Sequence, residues 1–230
     1  MSFARTGAYL RLATFAIGLA GGVAGCAYQS TGPIDLHYRR FEANLPERDK
    51  ITVCSGYGCK VKTDFRFTRA DIAQVTTLMT LPPKAAGASD ERRAVATTLA
   101  WMEKRVGDQV GTSADRPGDD FAGVGDPTQM DCVDVATNLT SYLLIMQRHQ
   151  LLKHHGVGTV FVKEDLRRGL DGWMHFTAVL VEAGTKQQFA VDGWKLASGI
   201  PPEIVETEKW YIDDRDILFR TVNTAGAGSR

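Results

Sequence analysis

The spacing of the hydrophobic residues changes near residue 149, and this change restricts the fold more than any other feature of the sequence. Before that point hydrophobic residues recur at intervals of three and four, which predicts amphipathic helices. After it they alternate within short runs, which predicts strands at 158–162, 176–182 and 188–192. The last two runs are separated by a short turn, so they predict an antiparallel hairpin. Helices that precede the strands, rather than alternating with them, indicate an α+β fold.

Further elements are predicted at both ends of this pattern. Residues 50–54 and 59–67 are rich in β-branched and alternating residues, so they predict a hairpin. A helix is predicted to begin at Thr68 and to end before Pro82, which cannot continue it. Residues 210–212, Trp-Tyr-Ile, are predicted to form an edge strand.

Two longer helices are predicted in the middle of the chain. One follows Ser89, which we take as its N-cap, and carries a single hydrophobic stripe. The other extends from Cys132 to about His149. Asp131 precedes it as N-cap, and Asp134 follows three residues later, which is a variant of the capping box.

The amino terminus has the pattern of an export signal. Arg5 and Arg11 are followed by an uncharged apolar stretch that is too short and too rich in glycine for a membrane-spanning helix. It ends in Val23-Ala-Gly-Cys26, which resembles a lipobox. We therefore predict a lipoprotein signal peptide over 1–25, lipidation of Cys26 and a tether over 26–49. The alternative is an ordinary signal peptide with an incidental cysteine.

If the chain is exported, the remaining cysteines can be interpreted from the redox state of the compartment. Cys54 and Cys59 are separated by a glycine-containing turn and can form a disulfide in an oxidising compartment. Cys132 is then left outside this disulfide. A leftover cysteine in an exported protein is either buried and inert or a reactive thiol.

The charge balance narrows the possible partners. The chain has 27 basic and 27 acidic side chains, and it has no basic stripe. This argues against nucleic acid as a partner.

After residue 25 no apolar run reaches the roughly 18 residues that a membrane span needs. The predicted membrane contact is the lipid anchor alone. Since Ala27, not aspartate, follows Cys26, the enterobacterial sorting pattern favours the outer membrane, with the domain facing the periplasm.

Three residues together suggest a site for nucleophilic catalysis. Cys132 starts a helix, where unpaired N–H groups and the helix dipole favour a thiolate. His175 and Asp192 lie on the two predicted strands of the hairpin, so pairing brings them side by side. Asp131 and Asp134 oppose a thiolate by their charge. Taken singly, His175 is equally well a core histidine, and Asp192 a turn residue.

This arrangement resembles the transglutaminase-like branch of the papain fold. The matching pieces are Met130-Asp-Cys132-Val-Asp-Val-Ala136, Gly172-Trp-Met-His175-Phe-Thr, and Phe189-Ala-Val-Asp192-Gly-Trp194. The periplasmic bacterial transglutaminase-like cysteine proteinases are similar, with Gly-Asp-Cys-Glu-Asp at the nucleophile. The resemblance covers about residues 90–195. It implies a papain-like domain over 50–220, with helices on a small antiparallel sheet. Residues 221–230 are rich in Gly, Ala and Ser and are predicted to be a disordered tail.

The resemblance also implies a function. Cys132 would be the nucleophile, His175 the base and Asp192 the group that orients it, in an amide hydrolase or peptidase with a protein or peptide substrate. Gln129 is a candidate for the oxyanion hole. Calcium beside Asp131 and Asp134 is disfavoured, because Val133 replaces the glutamate of the proteinase motif. We expect no other metal and no cofactor. The alternative is a non-catalytic domain that acts as a binding or scaffold module in the envelope.

Two further sequence features have competing explanations. His154 and His155 follow a predicted helix end and are interpreted as a cationic cap rather than zinc ligands. Trp173 and Trp194 flank the proposed base and acid, and they either line a substrate groove or belong to the core.

Overall fold

The structure is a computed structural model that describes residues 30–80, 87–118, 123–164 and 174–212. The helices in these ranges are α1 (Asp35–Arg40), α2 (Arg69–Thr80), α3 (Ala88–Val110), α4 (Cys132–Arg148) and α5 (Thr207–Ile212). The strands are β1 (Lys50–Ser55), β2 (Val61–Arg66), β3 (His155–Val157), β4 (Phe161–Glu164), β5 (Met174–Glu182), β6 (Gln188–Asp192) and β7 (Glu203–Glu206). The protein is therefore α+β, as the hydrophobic spacing predicts.

The strands form two antiparallel sheets. β1 and β2 make a separate hairpin, as predicted. The larger sheet has the order β3-β5-β6-β7, and β4 also pairs with β5. β5 is the longest strand and lies at the centre, with β3 and β4 along one side and β6 along the other. The predicted antiparallel pairing of β5 and β6 is confirmed.

Helix α4 lies between the two sheets and contacts both β5 and β1. Leu139, Leu143 and Met146 are almost fully buried along it, and burial of each such side chain contributes about 1.5–3 kcal/mol. The predicted capping box at its start is confirmed. The Asp134 N–H donates to Asp131 Oδ1 at 3.0 Å, and the Asp131 N–H donates to Asp134 Oδ2 at 3.2 Å. The first turn of α4 is therefore fixed in place.

The segment before β1 is part of the folded body. Its first described residue, Ser30, is bonded to the Gln188 side chain in both directions, at 2.8 and 2.9 Å. In α1, Tyr38 is buried and its hydroxyl lies 2.8 Å from Ser141 Oγ. The tether predicted over 26–49 is thus corrected: residues 30–49 pack on the domain. The segment is mostly polar, so its composition does not indicate that a few of its side chains are buried.

The carboxyl-terminal elements also differ from prediction. Residues 210–212 belong to α5, not to an edge strand. The edge position is taken by β7, which pairs with β6. His155 starts β3 instead of capping a helix, because α4 ends at Arg148. These short elements are stabilised by contacts with distant residues, which local patterns do not report.

Several predicted features lie outside the described residues: the signal peptide over 1–25, Cys26, Trp173 and the tail over 221–230. Within the described ranges, no helix has the length and apolar character needed to cross a membrane.

Candidate active site

The thiol of Cys132 lies at the start of α4, directly after its N-cap. The residue is 9% exposed, and among the described cysteines it is the one that is not in a disulfide. Its Sγ lies 3.8 Å from the carbonyl oxygen of Met174, the residue before His175. Cys132 packs in a small apolar cluster with Val133, Ala136, Val160 and Phe176. The fold therefore brings the helix start to the beginning of β5.

His175 and Asp192 are in direct contact. His175 Nε2 lies 2.7 Å from Asp192 Oδ2, and both side chains are buried. The strand register explains the contact. Ala178 pairs with Val191, so Asp192 follows opposite Thr177, whose side chain shares a face with that of His175. Diagonal neighbours of this kind are within reach of long side chains.

Asp192 has two further hydrogen bonds. The indole N–H of Trp210 donates to Oδ2 at 2.8 Å, and the backbone N–H of Trp194 donates to Oδ1 at 3.1 Å. Burial works against ionisation. The charge of His175 and the hydrogen bonds outweigh burial and lower the pKa of Asp192 to about 2. The carboxylate is therefore ionised at neutral pH.

The imidazole of His175 is hydrogen-bonded through one of its two ring nitrogens only. Its ring lies between two indoles, with centroid distances of 4.6 Å to Trp194 and 5.3 Å to Trp210. Nδ1 is buried and has no hydrogen-bond partner in the described structure. If Nε2 donates to Asp192, Nδ1 has a free lone pair that can accept a proton.

Sequence reasoning missed the role of α5. Trp210 is buried, and its backbone carbonyl accepts a hydrogen bond of 2.9 Å from Nζ of the buried Lys163. Lys163 pairs with His175 across β4 and β5. No local signal marks either residue, because both act through contacts made only in the folded chain.

The predicted disulfide between Cys54 and Cys59 is present, with a Cα–Cα distance of 4.5 Å. The turn it closes lies against Asp131 and Asp134. Both sulfurs and a carboxylate oxygen of Asp134 lie within 4.8 Å of one another, but bonded sulfurs offer no thiolate to a metal. The two carboxylates accept hydrogen bonds from backbone N–H groups of this turn instead.

Gln129 is buried near the site, but its side chain is hydrogen-bonded to residues of the preceding loop. Its amide nitrogen donates to the carbonyl of Ala114 at 3.1 Å and to Thr128 Oγ1 at 3.2 Å. Its amide oxygen accepts the N–H of Arg116. Both amide hydrogens are thus occupied, which removes Gln129 from the candidate oxyanion donors.

His155 belongs to a separate buried network. Its Nδ1 lies 2.8 Å from Glu91 Oε1, and its Nε2 lies 3.0 Å from Arg92 Nη1. Arg92 also pairs with Glu182 at 2.9 Å. Both ring nitrogens of His155 are therefore engaged, which is typical of a structural histidine.

Comparison of the chain with protein-family models, with curated proteins and with solved structures gave no match. The geometry described above therefore carries the functional argument alone.

Proposed function

We propose that the protein is a thiol-dependent amide hydrolase of transglutaminase-like, papain-like type that acts on a protein or peptide. Cys132 is the nucleophile, His175 the general base and acid, and Asp192 the group that orients the imidazole. The observation that carries the proposal is the state of His175. Its Nε2 is bound to Asp192 at 2.7 Å, and its Nδ1 is buried and unbonded. The preceding residue, Met174, contacts Cys132 Sγ through its carbonyl oxygen at 3.8 Å.

The reaction follows from these positions. His175 Nδ1 takes the thiol proton, and the Cys132 thiolate attacks the carbonyl carbon of the substrate amide. The imidazolium protonates the leaving amine, and a thioester to Cys132 remains. His175 then deprotonates a water that attacks the thioester, which releases the acid and regenerates the thiol. The N–H of Cys132, at the first position of α4, is the proposed oxyanion donor, whereas the N–H of Asp134 is used by the capping box. An amine in place of water gives acyl transfer by the same residues.

One observation favours the alternative, a non-catalytic envelope module. Cys132 is nearly buried, and its thiol is close enough to the Met174 carbonyl to donate to it. A thiol in that contact is neutral. The catalytic proposal requires the proton to move to His175 instead.

The pH dependence of Cys132 alkylation separates the two functions. We expect Cys132 to react with iodoacetamide with a midpoint well below the ordinary cysteine pKa of about 8.5, because an imidazolium stabilises the thiolate. His175→Ala should raise the midpoint. The modification of Cys132 is read by peptide mass spectrometry of the full chain. A midpoint at or above the ordinary value that His175→Ala leaves unchanged would reject catalysis and favour the non-catalytic module.

We place the protein at the cell envelope, anchored by lipid on Cys26 and facing the periplasm, with the outer membrane favoured. Ser30 is fixed to Gln188 on the domain, so only residues 27–29 separate the folded body from the anchor. Four residue steps span at most about 14 Å, so the anchor holds the domain close to the membrane surface.

Lipidation of Cys26 is tested by labelling cells with a fatty-acid analogue. Cys26→Ala should abolish both the label and signal-peptide cleavage, because the modified sulfur is lost. Cys132→Ala, which leaves the proposed lipobox intact, is the matched control and should be labelled normally. Equal labelling of wild type and Cys26→Ala would show that the lipobox interpretation is wrong.

A further inference from the structure

The turn closed by the disulfide has an unusual backbone. Gly56, Tyr57, Gly58 and Cys59 all have positive φ, at 76°, 69°, 65° and 58°. Such angles are uncommon for residues other than glycine. A run of four keeps successive N–H groups on one side of the turn, which is the geometry of an anion-binding nest. The turn therefore presents a concentrated set of donors.

Those donors point at the acids that flank Cys132. The N–H groups of Tyr57 and Cys59 donate to the two oxygens of Asp134, at 2.9 and 2.6 Å. The N–H of Gly58 donates to Asp131 Oδ2 at 2.8 Å. Three consecutive N–H groups of one turn thus bind the carboxylates on either side of the proposed nucleophile.

The turn also shields Asp134 from water. Asp134 is fully buried, and burial together with the Asp131 carboxylate raises the pKa of Asp134 to about 8, against the N–H groups that lower it. At neutral pH Asp134 is therefore only partly ionised, and the charge it does carry is bonded to the N–H groups of Tyr57 and Cys59. If water entered, Asp134 would ionise fully. A second negative charge in the first turn of α4 disfavours a thiolate at Cys132.

We propose that the Cys54–Cys59 turn is a positioning element for the nucleophile, which compensates Asp131 and Asp134 so that Cys132 ionises readily only while the disulfide is intact. This inference rests on the proposed function. It assigns to the disulfide a role in reactivity, in addition to its effect on stability. Asp134 thereby acts through Cys132 and does not contact the substrate.

A cycle of four proteins tests the role: wild type, Asp134→Asn, the Cys54→Ser/Cys59→Ser pair, and all three changes together. We expect the serine pair to raise the midpoint of Cys132 alkylation by about one pH unit, because Asp134 becomes solvated and charged. Asp134→Asn alone should change it little, since that charge is already compensated. Combined with the serine pair, Asp134→Asn should return the midpoint towards wild type. A purely structural role of the disulfide would not be rescued by removing a charge.

Chemical reduction provides the second measurement if the serine pair does not fold. A trialkylphosphine with water converts the disulfide to two thiols and itself to the phosphine oxide. Folded wild type treated in this way should gain two titratable thiols, and its Cys132 midpoint should rise by the same amount. Circular dichroism confirms that the fold is kept.

The outcomes distinguish this inference from the proposed function. A depressed wild-type midpoint that neither the serine pair nor reduction moves would overturn the role of the turn and leave the hydrolase proposal standing. The same follows if the midpoint rises and Asp134→Asn does not restore it. An ordinary wild-type midpoint would overturn both.

Discussion

Replacing His175 by alanine is expected to slow the acylation of Cys132 by an activated aryl ester by at least about 10³-fold, and Cys132→Ala to abolish it. The imidazole is the base in the proposed mechanism, and no other group that the structure describes combines burial with an unbonded basic nitrogen. The measurement is the burst of aryl alcohol released when purified protein is mixed with the ester.

Asp192→Asn should have a smaller but still large effect, of about 10²-fold or more. Asparagine preserves the size of the side chain but removes the charge that stabilises the imidazolium. Because the pKa of Asp192 is lowered to about 2, its ionisation does not produce an acidic limb of the rate profile near neutral pH. The acidic limb should instead reflect the coupled titration of Cys132 and His175.

His149→Ala is the matched control for these variants. His149 lies 2.7 Å from Asp49, the same separation as in the His175–Asp192 pair, but it follows the opposite end of α4 from Cys132. It should leave the burst unchanged. If His149→Ala and His175→Ala reduce the burst equally, or neither reduces it, then the pair with Asp192 has no special role and the triad is rejected.

The sequence predicted the parts of this site that are set by local pattern. The limits of α4 and β6, the capping box of Asp131 and Asp134, and the β5–β6 hairpin all follow from capping chemistry and hydrophobic period. These elements are long or strongly patterned, so their local preferences agree with the final packing. Once the limits of α4 and the pairing of β5 with β6 are predicted correctly, the contact of His175 with Asp192 follows from the strand register.

The remaining features depend on contacts between distant parts of the chain. Helix α1 is six residues long and has few apolar side chains, so its helical state depends on packing of His37 and Tyr38 against α4. Trp210 was predicted in a strand, but its ring packs on His175 and its N–H binds Asp192. Periodicity within three or four residues cannot report such contacts.

The structure also contains an internal comparison of two buried histidines. His155 is bound on both ring nitrogens, by Glu91 and Arg92, and lies far from any described thiol. His175 is bound on one ring nitrogen only, and the carbonyl of the residue before it contacts Cys132 Sγ. A buried carboxylate–imidazole pair is therefore not evidence of catalysis. The open second nitrogen and the neighbouring thiol make the difference.

The Glu91–His155 pair should instead matter for stability. Glu91 is 1% exposed and binds His155 Nδ1 at 2.8 Å and the backbone N–H groups of Lys153 and His154 at 2.6 and 3.0 Å. We expect Glu91→Ala to reduce the free energy of unfolding by about 3–5 kcal/mol, because it leaves the buried His155 ring and two backbone N–H groups without their acceptor. Equilibrium unfolding in urea, followed by circular dichroism, measures the change.

Asp90→Ala is the control, since Asp90 is the neighbouring acid in the first turn of α3 and has the same charge. Its pair with Arg93 is largely exposed on the arginine side, so its removal should cost at most about 1 kcal/mol. The comparison cancels the effect of the helix dipole, which both carboxylates feel. If the two variants lose equal stability, the Glu91 network contributes no more than a surface charge. A loss confined to Glu91→Ala that leaves the Cys132 alkylation midpoint unchanged would establish that this histidine is structural and independent of the candidate active site.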